Sequence, residues 1–123
     1  PEKILNRFFN LPKKYAGQEV IPEMQMETEF DEADDELCTA LGLPIGETVS
    51  SWVKGGGKGF RLYATGELAE KAIDLPKGTV IKGRIRLLFG ITKEIEVSDE
   101  GLFTKPTSVK GAQLLEFLAM PTK

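Results

Sequence analysis

Lys82, Arg84 and Arg86 stand at alternate positions of one run, between Ile81, Gly83, Ile85 and Leu87. In an extended strand successive side chains point to opposite faces, so the three cations share one face and the apolar residues the other. A row of cations about two residues apart suits the phosphate repeat of an extended polynucleotide strand. A plain solvated face with three long side chains is the alternative. A second group lies upstream. Trp52 alternates with Thr48, Ser50 and Lys54, which puts an indole on a polar face. It is a base-stacking platform in one reading and ordinary core packing in the other. Arg61 and Tyr63 share a face on the next run and extend that surface, while Phe60 and Leu62 face the core. Lys58 sits in the loop Gly55-Gly56-Gly57-Lys58-Gly59, where the missing side chains let a nucleic-acid backbone come close. The candidate nucleic-acid-binding set is Trp52, Lys54, Lys58, Arg61, Tyr63, Lys82, Arg84 and Arg86.

Other chemistry is excluded more firmly. The chain has no histidine, which removes Ser-His-Asp and Cys-His catalysis and the usual zinc ligand sets. Cys38 is alone, so no internal disulfide forms, and a reducing cytoplasm is the expected compartment. The glycine loop is no phosphate-binding P-loop, because Gly59 and a strand follow Lys58 instead of Ser or Thr and a helix. The acidic run Glu27–Glu36 lacks the EF-hand spacing. Capping of a helix explains most of these acids, and a second idea is that the anionic helix competes with nucleic acid for the basic face. No catalytic residue, metal or cofactor is expected, and the chain does not read as an enzyme.

The chain has 123 residues, 41% of them hydrophobic, enough for a single domain with its own core. No apolar run reaches the roughly 18 residues of a membrane span, and no signal peptide is visible. The net charge of -3 is uneven. Residues 1–50 hold four Lys/Arg against eleven acids, and residues 51–123 hold twelve against eight. The asymmetry leaves room for a local basic groove on an acidic protein.

The elements follow from periodicity. Residues 1–16 read as a short helix or an arm, with Ile4, Leu5, Phe8 and Phe9 as its apolar side. Residues 17–30 alternate as a strand, with Pro22 at an edge or bulge. Residues 31–43 form a helix capped by Asp31 and closed by Gly42. Residues 47–65 form a hairpin. Residues 67–73 make a short helix, residues 80–87 a strand, and Ile91–Val97 a further strand. Asp99-Glu100-Gly101 turns the chain, and Pro106 ends the element after it. Residues 107–118 read as a C-terminal helix, from the spacing of Val109, Ala112, Leu114, Leu115, Phe117 and Leu118.

Arg61-Leu62-Tyr63-Ala64-Thr65-Gly66-Glu67-Leu68-Ala69-Glu70, followed by Lys77-Gly78-Thr79-Val80-Ile81-Lys82-Gly83-Arg84-Ile85-Arg86, resembles the central pattern of bacterial and phage single-stranded DNA-binding proteins. The likeness covers about a quarter of the chain. Strand, short helix, strand, strand is also the order of the second half of an OB-type barrel. The expected fold is therefore mainly β: an OB-like five-stranded Greek-key barrel with one short helix between strands, an acidic helical insertion and a C-terminal helix, in one domain spanning 1–123. The resemblance implies sequence-independent binding of single-stranded DNA in phage or bacterial replication or recombination, by a dimer or tetramer. Lys82 stands where that family usually has an acid. The chain ends Ala119-Met120-Pro121-Thr122-Lys123, without the acidic tail by which cellular members recruit other enzymes. RNA satisfies the same residues as DNA. An OB-type module that binds a protein, such as a phage accessory factor regulating a host machine, is the main rival.

Overall fold

A computed structural model describes the backbone of residues 2–98 and 101–119, with side chains for residues 3–92 and 106–119. Two glycines set its first hairpin. Strands β4 (Thr48–Gly55) and β5 (Lys58–Thr65) pair at every position from Thr48↔Thr65 to Gly55↔Lys58. The loop is Gly56-Gly57, with φ of 59° and 77°. Positive φ at both loop positions matches the right-handed twist of the strands, and glycine adopts it without a side-chain clash.

Upstream, α1 (Glu2–Asn10) and the single turn α2 (Pro12–Tyr15) lead into β1 (Glu19–Val20) and β2 (Glu23–Met26). Both short strands pair with the long strand β6 (Val80–Ser98) in one register, Glu19↔Arg86 and Glu23↔Lys82 among the pairs. They are one strand interrupted at Pro22, which has no N–H to give a ladder. β2 also pairs with β4, and β3 (Asp31–Glu32) pairs with the other end of β4. β7 (Gly101–Phe117) runs antiparallel to β6 along its length and parallel to β5 at Leu62↔Ala112 and Tyr63↔Gln113. The result is a mixed seven-stranded sheet that partly closes on itself. No helix among the described residues is long and apolar enough to cross a membrane.

Burial follows the alternation. Met24, Met26, Val53, Phe60, Leu62, Ile81, Ile85, Leu87, Ala112 and Leu114 are almost fully buried in one cluster. Leu5 and Phe8 of α1 join it with no exposed surface, so the N-terminal segment is a helix seated on the core. α4 (Gly66–Ala72) adds Ala72. A second cluster lies on the opposite face of the sheet. There α3 (Asp35–Leu41) sets Cys38 and Leu41 against Ala33, Leu43 and Tyr63, with Leu88 and Val109 at the margin.

Several sequence expectations are corrected. Residues 107–118 are not a C-terminal helix but the second half of β7. Arg84 pairs with Glu116 and Ile85 with Leu114, which leaves Leu115 as the extra residue of a bulge. That bulge places two leucines in succession and imitates helical spacing. Strand pairing on both sides then outweighs local pattern, and Gly111 in mid-helix would itself have been unfavourable. Ile91–Val97 is no separate strand; it continues β6. Pro106 does not end an element but sits within β7 opposite Lys93, where β5 no longer flanks it. Asp34, not Asp31, caps the acidic helix, accepting from the Glu36 and Leu37 N–H groups at 2.8 and 3.3 Å. Asp31 is in β3. Gly42 closes α3 in the left-handed region, φ 74°, as expected. The expected turn at 99–100 lies outside the described residues.

Gly90 fixes how α3 meets β6. A Cβ there would lie 2.0 Å from the Ala40 carbonyl oxygen, so the helix backbone rests directly on the strand. Gly90→Ala must push α3 off the sheet. It should lower stability by about 1–3 kcal/mol, in the range of overpacked sites, read as a lower Tm. An unchanged Tm would mean that α3 is not seated there.

Candidate nucleic-acid interface

Trp52 projects from β4 on the face away from the main core and is 41% exposed. Its backbone is held by the segment that follows β2. Its N–H donates to Thr28 Oγ1 at 3.0 Å, and its carbonyl accepts from the Glu27 N–H at 2.8 Å. Beneath it Ser51 is fully buried and donates to the Thr28 carbonyl at 2.7 Å. The indole lies over the neighbouring strand at Gly59, where an added Cβ would come within 3.0 Å of Nε1 and Cζ2. Any larger residue would displace the ring.

Arg61 stands directly opposite Trp52 in the hairpin. Its guanidinium carbon is 5.9 Å from the ring centroid, and Nη1 donates to Ser50 Oγ at 3.2 Å. Lys54 is the next outward residue on β4, exposed and level with Gln25. Among the described residues neither Lys54 nor Arg61 has a carboxylate within ion-pair distance. The hairpin thus presents a fixed flat ring, a cation against it and a free ammonium beside it. Lys58, opposite Gly55, is exposed at the tip but falls on the Phe60 side by alternation.

Tyr63 is a correction. It is 1% exposed, packed among Cys38, Leu41 and Leu43, and burial pushes its phenol pKa up. It has no ring face for a base. α3 covers this end of the outer face, because its own apolar stripe requires a partner surface. Cys38 is buried by the same contact, and its thiol pKa is raised chiefly by that burial.

Lys82, Arg84 and Arg86 do share one face of β6, but two of the three are neutralised. Arg84 lies between Glu19, at 2.5 Å, and Glu116, at 2.9 Å. Arg86 reaches the second Glu19 oxygen at 3.3 Å. Hydrogen bonds from Arg84, then Arg86, hold the Glu19 carboxyl below its ordinary pKa, and those to Glu116 and Glu19 raise Arg84. Because the carboxyl value is lowered on folding, the pairing is complete at neutral pH and is lost as pH falls through the carboxylate range. Lys82 is exposed, level with Glu23. Glu19 and Glu116 were not among the sequence candidates. Only the registers of β1 and β7 bring them to the arginines, and nothing local in sequence marks that.

The candidates therefore do not form one cleft: Trp52, Lys54 and Arg61 group on the hairpin, Lys82, Arg84 and Arg86 on β6, with Lys58 on the other side of the hairpin and Tyr63 buried. β2 stands between β4 and β6 on one side, and β5 and β7 stand between them on the other. Among the described residues no group of three or more Cys, Asp or Glu side chains is placed to hold a metal. Compared with protein-family models, curated proteins and solved structures, the chain matches none.

The Glu19→Gln/Glu116→Gln double variant should free both arginines. The pairs are solvent-exposed and screened, so Tm should hardly move. If the guanidinium groups can reach phosphates, the salt slope of oligonucleotide binding should steepen by about two units. An unchanged slope would assign Arg84 and Arg86 to strand-to-strand pairing alone.

Proposed function

We propose that the chain binds single-stranded DNA without sequence preference, through the outer face of the β4–β5 hairpin. The observation that carries this reading is the exposed Trp52 indole, seated over Gly59 with the Arg61 guanidinium 5.9 Å from its centroid. A backbone-anchored ring that is 41% exposed leaves part of its surface for a base. Stacking is indifferent to base identity, since every base has a π-face. Arg61 and Lys54 then meet the flanking phosphates, and Lys58 and Lys82 extend the positive field. Arg84 and Arg86 contribute only where Glu19 and Glu116 let go. RNA meets the same groups.

The finer architecture of this reading is an OB-type five-stranded barrel. It is supported by the pairing of β2 with β4, β4 with β5, β5 with β7, β7 with β6 and β6 with β2. Gln25 puts Lys54 level with Val80; Gln113 and Tyr63 put Arg86 level with Ser50. One circuit thus shifts the register by six residues on β6 and four on β4, ten in all, the kind of stagger that closure needs. α4 in the connection from β5 to β6 fits the same plan. One such barrel covers about 4–16 nucleotides, so action as a dimer or tetramer in replication or recombination, in the cytoplasm, completes the proposal. A protein-binding module is the second reading. It is favoured by the internal pairing of Arg84 and Arg86, which takes two cations out of reach.

Oligo(dT) should quench Trp52 fluorescence, and less so as salt rises. Trp52→Ala should weaken binding by about 1–3 kcal/mol while leaving the fold intact, because the ring is outside the core. Absence of quenching and of a mobility shift at micromolar protein would favour the protein-binding module.

A further inference from the structure

A second ring-and-cation unit lies where α2 meets the β6–β7 ribbon. An open cleft of about 470 Å³ is lined there by Leu11, Pro12, Lys13, Lys14, Phe89 and Ser108, among others. The Lys13 ammonium is 6.0 Å from the Phe89 ring centroid, much as Arg61 attends Trp52. Lys13 and Lys14 are exposed, and among the described residues no carboxylate lies within ion-pair distance of either. This separates them from Arg84 and Arg86, whose charge is already answered. A third cation nearby is already engaged, with its ammonium 5.7 Å from the Phe9 ring centroid. Lys110 is paired across the ribbon with Phe89 and donates to the Phe9 carbonyl at 2.9 Å. Among the described residues no acidic side chain lines the cleft.

We infer that this cleft takes one nucleotide of the same single strand, with its base on Phe89 and its flanking phosphates on Lys13 and Lys14. The inference extends the reading of the hairpin and rests on it for the identity of the ligand. Its own support is charge complementarity: unpaired cations in a carbon-lined recess that ends in a half-exposed aromatic ring. A phosphate satisfies the ammonium groups, and a flat base covers Leu11, Pro12 and Phe89, leaving its edge to Ser108. Lys13 moves from ring to phosphate at little cost, since an exposed cation–π contact is weak.

The test is photocrosslinking of the full chain to a 20-nucleotide oligo(dT) carrying 5-iododeoxyuridine, with adducts mapped by mass spectrometry. Adducts are expected at both Phe89 and Trp52. Lys13→Glu with Lys14→Glu should abolish the Phe89 adduct, leave the Trp52 adduct, and lower the salt slope by about two units. Both lysines are at the surface, so an unchanged thermal unfolding curve serves as the fold control. A Trp52 adduct without one at Phe89 would overturn the cleft and keep the hairpin reading. A Phe89 adduct without one at Trp52 would overturn the hairpin and keep the cleft. A Phe89 adduct that survives the double variant would refute the role given to the lysines, and no adduct at either ring would remove both sites.

Discussion

β7 lies between β5 and β6, parallel to the first and antiparallel to the second. The rest of the molecule depends on that placement. Without β7, β5 and β6 would each expose a row of unpaired N–H and C=O groups over apolar side chains. With it, Ala112 and Leu114 complete the interior against Leu62, Ile85 and Leu87. A parallel neighbour cannot be reached by a tight turn. The chain spends α4, all of β6 and the ribbon's far end between the two partners. Gly111 permits the close approach: a Cβ there would meet the Arg61 carbonyl and the Tyr63 ring at 2.9 Å.

That arrangement divides the outer surface. α3 takes one part, over Tyr63, Leu88 and Val109. Glu19 and Glu116 take another by saturating Arg84 and Arg86. What remains open on the hairpin is Trp52, Arg61 and Lys54, and beyond the sheet the recess beneath Phe89. Part of the acidic charge has a structural use. Here Asp34, Asp35 and Glu36 are spent at the start of α3, where the helix dipole and the N-cap use them.

Period-two alternation made much of the sheet legible. The hairpin, the buried Met24 and Met26 and the cation row of β6 all follow from it, as does the mainly β class; the exposure of Trp52 does not, since Thr48 and Ser50 on the same face are buried. The short helix before β6 was legible from its spacing. What failed did so for physical reasons. The bulge at Leu115 broke alternation and made a strand look helical. Tyr63 alternates with Leu62 as an outward residue should, yet a helix from a distant segment covers it. The counter-ions arrive by register, from residues 65 and 32 positions away for Arg84 and 67 for Arg86. Lys13 and Lys14 sit in a one-turn helix without alternation, and only the fold brings Phe89 to them.

Trp52, Arg61 and Lys54 are proposed to form an open surface on which a single strand lies. The most direct measurement is a titration of isotope-labelled protein with an eight-nucleotide oligo(dT), followed by two-dimensional nuclear magnetic resonance. The account predicts that the Trp52 indole N–H and the amides of Lys54, Gly59 and Arg61 shift together and saturate at one stoichiometry, while α4 stays still. Shifts concentrated on α3 or α4 with the indole unmoved, or no shifts at all, would contradict it.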